Sequence, residues 1–546
     1  MSTAVAERPA APAFSGGSSD LAGTGKLLRL YLRRDRVVLP LWSVLFGLLP
    51  LFYLTSTEAA YEGKPGEVQR YADSIDSSPA LQAMYGPLFG HGMDTVALWK
   101  AGPFFAMIAI ATILTVIRHT RVEEDTGRAE FLGATSVGRY AGLTAALLMT
   151  SAGCVVTGVL CALTLRSGDV STAGSVAFAA TLAGSGLAWA GFAALAVQLG
   201  SSARIARGIA LGTLAGAFAV RAIGDAGNGV LSWLSPLGWC IQVRPIAEIR
   251  WWALLPVLAF GVVSVALGYA LLRRRDLGSG LVAERPGPAA VAPALAGALG
   301  LAWRLQRGSL LAWAVGFLLY GLLMGGVVNG IGDMMDEGTN IADIVTKAGG
   351  SDILQDAFVT LGTTMLALAA AAYTISATLR LHDEESSQRA ETLLAGSVGR
   401  VRYAVSHLGF ALLGAAGLML IAATSMGVVY GIMAGDVAGK LGDTLGAALV
   451  NVPAVWVVTG IAVAIYGLAP RFTPVVWGVL SAMLVLYFLG ALDDSLPGWL
   501  VDLVPFTHSP KLPGGDFAAQ PILWLLGIAA ALLATGLIAF RRRDLR

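Results

Sequence analysis

The sequence predicts an all-α polytopic membrane protein of about twelve transmembrane helices, arranged as two parallel six-helix repeats. Three observations predict it. Hydrophobic residues fill 56% of the 546 positions and charged residues only 13%, too apolar a balance for a soluble chain of this size. Apolar runs recur that exceed the roughly 18 residues a helix needs to cross a bilayer. Finally, the stretch Val122-Glu-Glu-Asp-Thr-Gly-Arg-Ala-Glu-Phe-Leu-Gly-Ala-Thr-Ser-Val-Gly-Arg139 returns as Asp383-Glu-Glu-Ser-Ser-Gln-Arg-Ala-Glu-Thr-Leu-Leu-Ala-Gly-Ser-Val-Gly-Arg400, so the chain is a tandem duplication.

Residues 1–25, rich in Ala, Pro, Gly and Ser and without the apolar core of a signal peptide, read as a disordered cytoplasmic tail. The first six-helix half is expected at 26–277. Its spans fall near 37–55, 96–117, 140–165, 175–199, 208–223 and 251–272, with a polar outer segment at 56–95 and an interfacial or re-entrant segment at 225–250. Gly186, Ala190 and Ala194 give the fourth span a strip of small residues at four-residue spacing, which admits another helix closely. A Pro, Gly and Ala-rich cytoplasmic linker, 278–300, precedes a second six-helix half at 301–546. There the spans fall near 309–328, a stretch ending at Arg380, 403–434, 445–467, 474–492 and 521–540, with an outer segment reaching about Gln355.

An even number of spans in each half gives both halves the same orientation. Basic residues agree. The cluster from Lys26 to Arg36, both repeated stretches, the Arg204/Arg207 loop and the triplets Arg273-Arg-Arg-Asp276 and Arg541-Arg-Arg-Asp544 fall on one side, expected to be cytoplasmic with both termini. Arg244, Arg250 and Lys511 fall on the other. A net charge of only +2 offers no global field for nucleic acid.

On a continuous helix, Glu123 and Glu130 would lie two turns apart on one face, Leu132 roughly opposite, and Glu124 one turn before Arg128. Glu384, Glu391, Leu393, Glu385 and Arg389 repeat the pattern. Each copy is expected to be a short amphipathic helix with an acidic stripe, an apolar back and an internal Glu-to-Arg pair. A solvated loop helix would carry such charges too, but two copies at corresponding places favour two equivalent docking sites.

Chemistry of other kinds finds little footing. Gly23-Thr-Gly-Lys26 is no phosphate loop, because Asp20 stands at the leading glycine position, Leu27 replaces the magnesium-binding hydroxyl, and no strand precedes it. Cys154, Cys161 and Cys240 read as small core residues, and the five histidines show no close pairing that would hold a metal. Lys100 and Arg221 lie near the outer ends of spans and are expected to snorkel. The scarcity of other ionisable groups inside spans counts against the alternative of a twelve-span, ion-coupled secondary transporter.

With Ser-Pro-Leu-Gly-Trp239, Thr507-His-Ser-Pro-Lys-Leu-Pro-Gly-Gly515 and the Arg-Arg-Arg-Asp ends, the repeated Glu-Glu-x-x-x-Arg-Ala-Glu-x-Leu stretches resemble actinobacterial ABC-2 type permeases of the polyketide-antibiotic and multidrug exporter family. The resemblance covers nearly the whole chain beyond the tail. It implies a plasma-membrane transport subunit, not an enzyme, moving amphipathic small molecules. ATP and Mg would bind in a separate ABC ATPase subunit, present in two copies, with no cofactor in this chain. The helix between the second and third spans would be the coupling helix, assigning Glu123, Glu124, Arg128, Glu130, Glu384, Glu385, Arg389 and Glu391 to ATPase contact. The second and fifth spans of each half would face a central cavity, making Phe104, Phe105, Met107, Thr364, Met365, Trp477 and Met483 its lining.

Overall fold

The computed structural model describes residues 20–61, 66–133, 135–276, 278–281, 297–334, 354–396, 398–492 and 497–543; among these every regular element is helical. The chain forms two compact units, 1–286 and 287–546. Much of the expected linker, 282–296, most of the tail, 1–19, and the outer segment 335–353 lie outside the described residues.

Among the described residues, eleven helices are long and apolar enough to cross a membrane. In unit 1 they are Val38–Tyr61, Met93–Asp125, Ala141–Ser167, Thr172–Leu199, Ala203–Asp225 and Trp251–Leu272; in unit 2, Ala298–Val328, Leu354–Ser386, Arg400–Ala434, Val437–Leu468 and Ala519–Arg542. The expected fifth span of unit 2 is the apolar helix Val475–Leu492, which completes the six but whose described part is shorter. Local signals set several ends. Ser171 and Ser202 accept the N–H groups of Gly174 and Ile205 as N-caps, and Gly435, at φ 76°, closes the helix Arg400–Ala434 in the left-handed form only glycine takes freely.

Burial divides the spans in the same way in both units. The fourth span of each is the most enclosed, 72% and 78% buried, while the sixth is 22% and 17% buried and leaves its outer face to lipid. Many hydroxyls inside the spans bond back to their own helix: Thr150, Thr181 and Thr363 donate to the carbonyls of Ala146, Ala177 and Val359 one turn back. Fourth and sixth spans meet at small residues. In unit 1 a Cβ on Gly261 would stand 2.9 Å from Ala188 Cα, and one on Gly268 3.1 Å from the Ala194 backbone; in unit 2 a Cβ on Gly536 would stand 2.4 Å from Val463 O. Ala194, from the expected strip, serves this crossing, whereas Gly186 faces Cys154 and Ile108.

Three expectations need correction. The tail ends earlier than residue 25: a helix at Thr24–Arg34 buries Leu27 and Tyr31 against Ala141, Ala145 and Met149 of the third span, and Asp20 and Ala22 accept the N–H groups of Tyr140 and Gly138. Arg221 does not snorkel. It is buried, 3.6 Å from Asp225, and donates to the carbonyls of Ala83 and Met84, since one helical turn places a carboxylate beside it and the outer segment covers both. Lys100 likewise turns inward, to the Thr57 hydroxyl and the Tyr71 ring.

Without a hydrophobic driving force between helices in lipid, such close crossings carry much of the association. Gly536→Val should therefore cost about 3 kcal/mol, the upper end for overpacking, read as a large drop in thermal stability of the detergent-purified protein. Gly527→Val, on the same helix with open space at its Cβ, should change it little.

Candidate functional site

The repeated stretch is not one helix in either unit. In unit 1 it is Arg121–Asp125 and Arg128–Gly133, separated by Thr126 and Gly127; in unit 2 the second span runs on to Ser386, and Arg389–Leu394 follows after Ser387 and Gln388. The turn residue is left-handed in both, Gly127 at φ 72° and Gln388 at φ 58°. Glycine adopts that conformation without steric cost, and glutamine adopts it against about 1 kcal/mol of strain.

The break takes Glu123 and Glu130 off a common face. Glu123 is buried, bonded to Arg34 Nη1 at 2.7 Å and 3.7 Å from Arg128, while Glu130 is exposed. Its counterpart Glu384 is buried between Arg380, 3.1 Å, and Arg389, 2.7 Å, while Glu391 is exposed. The motif arginine is thus held by the first glutamate across the turn, not by the second as a continuous helix would have it. Leu393 packs against the cluster around Leu381, Tyr403 and Phe540; the side chain of Leu132 lies outside the described residues.

The second glutamate reaches the far end of its own unit. Glu124 accepts from Arg275 Nη1 and Nη2 at 2.8 and 2.5 Å, and Glu385 accepts from Arg543 Nη2 and from the Tyr466 hydroxyl at 2.8 Å. Arg275 and Arg543 are the third residues of the two Arg-Arg-Arg triplets. A second repeated contact lies beside it: Arg139 donates to the carbonyls of Leu272 and Arg275, and Arg400 to those of Arg541 and Arg543. A guanidinium at a helix C-terminus meets carbonyls that have no partner within the helix. In each unit, then, the motif closes a clasp between the second and sixth spans.

Around the unit 1 clasp is a cavity of about 460 Å³ bordered by Tyr31, His119, Glu123, Arg139 and Arg275. His119 is buried, its Nε2 2.7 Å from Asp35 Oδ2. Burial, and next the charge of Glu123, push the Tyr31 hydroxyl up to about 12, so it stays a neutral wall of this cavity. Unit 2 has a cleft of about 470 Å³ bordered by His382, Glu385 and Arg543.

Within each unit the residues expected to line one route differ in burial. Phe104 and Phe105 are buried within unit 1, Phe104 near Phe46 and Tyr53, Phe105 near Phe178. Thr364 and Met483 are buried within unit 2, and Met365 partly so, whereas Met107 and Trp477 are exposed. Helical periodicity turns neighbouring positions to opposite sides, so one apolar run cannot all face a cavity. Phe105 does line a small apolar pocket of about 60 Å³ with Leu98, Trp99, Phe178 and Ile241. Arg244, over the Phe89 ring at 3.9 Å, closes its edge.

Sequence reasoning missed the partners of the second glutamates, although the signal was present: the Arg-Arg-Arg-Asp ends are duplicated together with the acidic stretch. Removing either member leaves a buried charge without its counter-ion, costing about 3–5 kcal/mol. Glu385→Ala should therefore lower the melting temperature and folded yield sharply, and Glu385→Leu combined with Arg543→Met should recover most of the loss. Thermal unfolding monitored by size-exclusion chromatography checks both.

The sequence matches the family described as "Multidrug efflux system permease Rv1217c, C-terminal domain" twice, over residues 27–273 and again over 295–541. It is also 51% identical, over 549 residues spanning the whole of both chains, to the "Multidrug efflux system permease protein Rv1217c" of Mycobacterium tuberculosis. The double match coincides with the two sets of six helices; each copy contains one repeated acidic stretch, and the clasp arginine, Arg275 or Arg543, stands two residues beyond its end.

Proposed function

We propose that this chain, which belongs to the multidrug efflux system permease family, is the membrane subunit of an exporter driven by a separate ABC ATPase, and that the short helices Arg128–Gly133 and Arg389–Leu394 are where the ATPase engages it. The observation that carries the reading is the clasp. Equivalent side chains in each unit tie a short exposed helix to the second and sixth spans at once, so a push on that helix moves both.

The clasp also sorts the motif into two roles. Glu123, Glu124, Glu384 and Glu385 are consumed by partners inside the chain and act as positioning residues. Glu130 and Glu391, with the exposed guanidinium edges of Arg128 and Arg389, are the groups free to meet a partner. The basic residues around both clasps support a cytoplasmic location for these ends and for both termini, at the plasma membrane. ATP and Mg bind in the partner, and two equivalent short helices call for two ATPase copies per chain. Substrates are amphipathic drugs or polyketide-like antibiotics, with Phe105 among the aromatic groups they pass.

Glu130→Lys combined with Glu391→Lys should leave the permease folded, since both side chains are exposed, yet cut ATPase copurification and drug export by at least about tenfold, the scale of losing a charge-assisted contact and gaining repulsion. Unchanged export and retention would remove these helices from the interface. Native mass spectrometry should find two ATPase chains for each copy of this chain; a permease dimer or a single ATPase would contradict the duplication argument.

A further inference from the structure

The end of unit 1 opposite the clasp holds a cation in a conformation that costs the chain something. Between the fifth and sixth spans, Arg244 stands at φ 53°, in the left-handed region. An L residue enters that region only against strain, and the residue before a proline, here Pro245, is biased toward extended backbone instead. Main-chain bonds on both sides hold it there. The Arg244 N–H donates to Ile241 O at 3.2 Å, the Ala247 N–H to Arg244 O at 3.2 Å, and the Arg250 N–H to Val243 O at 2.8 Å. Strain that the surroundings maintain is a pointer to function.

The guanidinium so placed lies over the Phe89 ring at the edge of the apolar pocket, and it is short of counter-charge. Its Nη2 reaches only Gln242 Oε1, at 3.3 Å, and its Nε is buried without a hydrogen-bond partner among the described residues. Glu248, the carboxylate nearby, is the partner of Arg250 at 3.9 Å; among the described residues Arg244 has no ion pair of its own. Burial, and next the charge of Arg250, hold its pKa below the usual guanidinium range, with Glu248 acting in the opposite direction.

Behind this cation the pocket of about 60 Å³ is walled by Leu98, Trp99, Phe105, Phe178 and Ile241. Its rings are fixed. Trp99 spends its one donor on Gly86 O at 2.6 Å and packs on Tyr85 with centroids 4.7 Å apart, while Phe105 packs on Phe178 at 5.6 Å. Such walls offer water few hydrogen bonds and offer a flat apolar group much contact. We propose that this pocket binds an amphipathic anion, its flat apolar part against these rings and its carboxylate or similar head on Arg244. An exported molecule and an anionic lipid of the bilayer share that chemistry. As a stop on the export route the site rests on the exporter reading above; as a binding site it does not.

The test uses the full chain in nanodiscs of neutral phosphatidylcholine, with tritiated 2-naphthoate as the probe and 2-naphthalenemethanol as its uncharged isostere. Scintillation proximity should show saturable binding of the acid at one site per chain, above that of nanodiscs without protein. Arg244→Gln should weaken the acid about tenfold or more and leave the alcohol unchanged, and Arg244→Lys should recover part of the loss. Glutamine is a residue this chain already holds left-handed, at 388, so the turn is expected to persist. Ala247→Trp, at an exposed position on the pocket rim, should displace both probes. No saturable binding overturns the proposal, as does binding indifferent to Ala247→Trp. Equal weakening of acid and alcohol by Arg244→Gln overturns the anion recognition. Competition by phosphatidylglycerol added to the nanodiscs assigns the site to lipid; export of the acid from cells, slowed by Ala247→Trp, assigns it to the transport route. Binding as expected in a chain that exports nothing is the failure of the exporter reading and not of the site.

Discussion

A buried carboxylate that must hold a guanidinium from the other end of its own repeat is the constraint on which each half of this molecule depends. Taking both charges out of water is expensive, and their attraction offsets the cost only when geometry is good and the remaining donors are satisfied. Unit 1 meets that condition with Glu124, which accepts both terminal nitrogens of Arg275, while Gln198 takes the Nε. Unit 2 meets it in part, with Glu385, Tyr466 and the ring of Phe540 beneath Arg543, whose Nε has no hydrogen-bond partner among the described residues. Of each triplet the first two arginines stay exposed, as charge at a membrane surface should, and only the third turns inward. The pair therefore contributes less to net stability than to deciding which end of the sixth span meets which turn after the second.

The helices that carry these charges are set by contacts of another kind. Fourth and sixth spans approach until backbone touches backbone at Gly261, Gly268 and Gly536, and the fourth span is the most enclosed in both units. In a solvent as apolar as the side chains themselves, van der Waals contact replaces hydrophobic burial as the source of association. Packing fixes the axis of the sixth span, and the clasp fixes its end. The short helix after the second span inherits its position from both, which is why a surface element of six residues can be held firmly enough to transmit movement.

Hydropathy and duplication made the fold legible, because span length and repeat period depend on composition along the chain and not on contacts across it. The site was legible only in part. Gly127 is a recognisable helix-stopping residue, but Gln388 at the equivalent turn carries no such signal, and reading through both put Glu123 and Glu130 on one face. The partner of Glu124 lies 151 residues away, beyond any local periodicity. Arg221 illustrates the opposite case: Asp225, four residues on, was a local cue that the buried pair would form, overlooked because a position near a span end suggested snorkelling.

The differences between the repeats follow from one substitution and its consequences. Arg121 brings a second guanidinium to a carboxylate already shared with Arg275, and it is wholly buried. One glutamate cannot neutralise and hydrogen-bond two such groups, so further acceptors are needed: Asp125 at 3.6 Å, the Ser201 carbonyl at 2.5 Å, and the carbonyls of Gly278 and Ser279 supply them. The return of residues 278–279 over the motif is in this sense required by Arg121. In unit 2 the arginine is His382 and the aspartate is Ser386, a paired change that removes both the extra charge and its counter-charge. An imidazole has a neutral form that a guanidinium lacks, so fewer acceptors are called for beside His382. Duplication preserved the clasp in both halves, and the repeats differ in the charge that stands beside it.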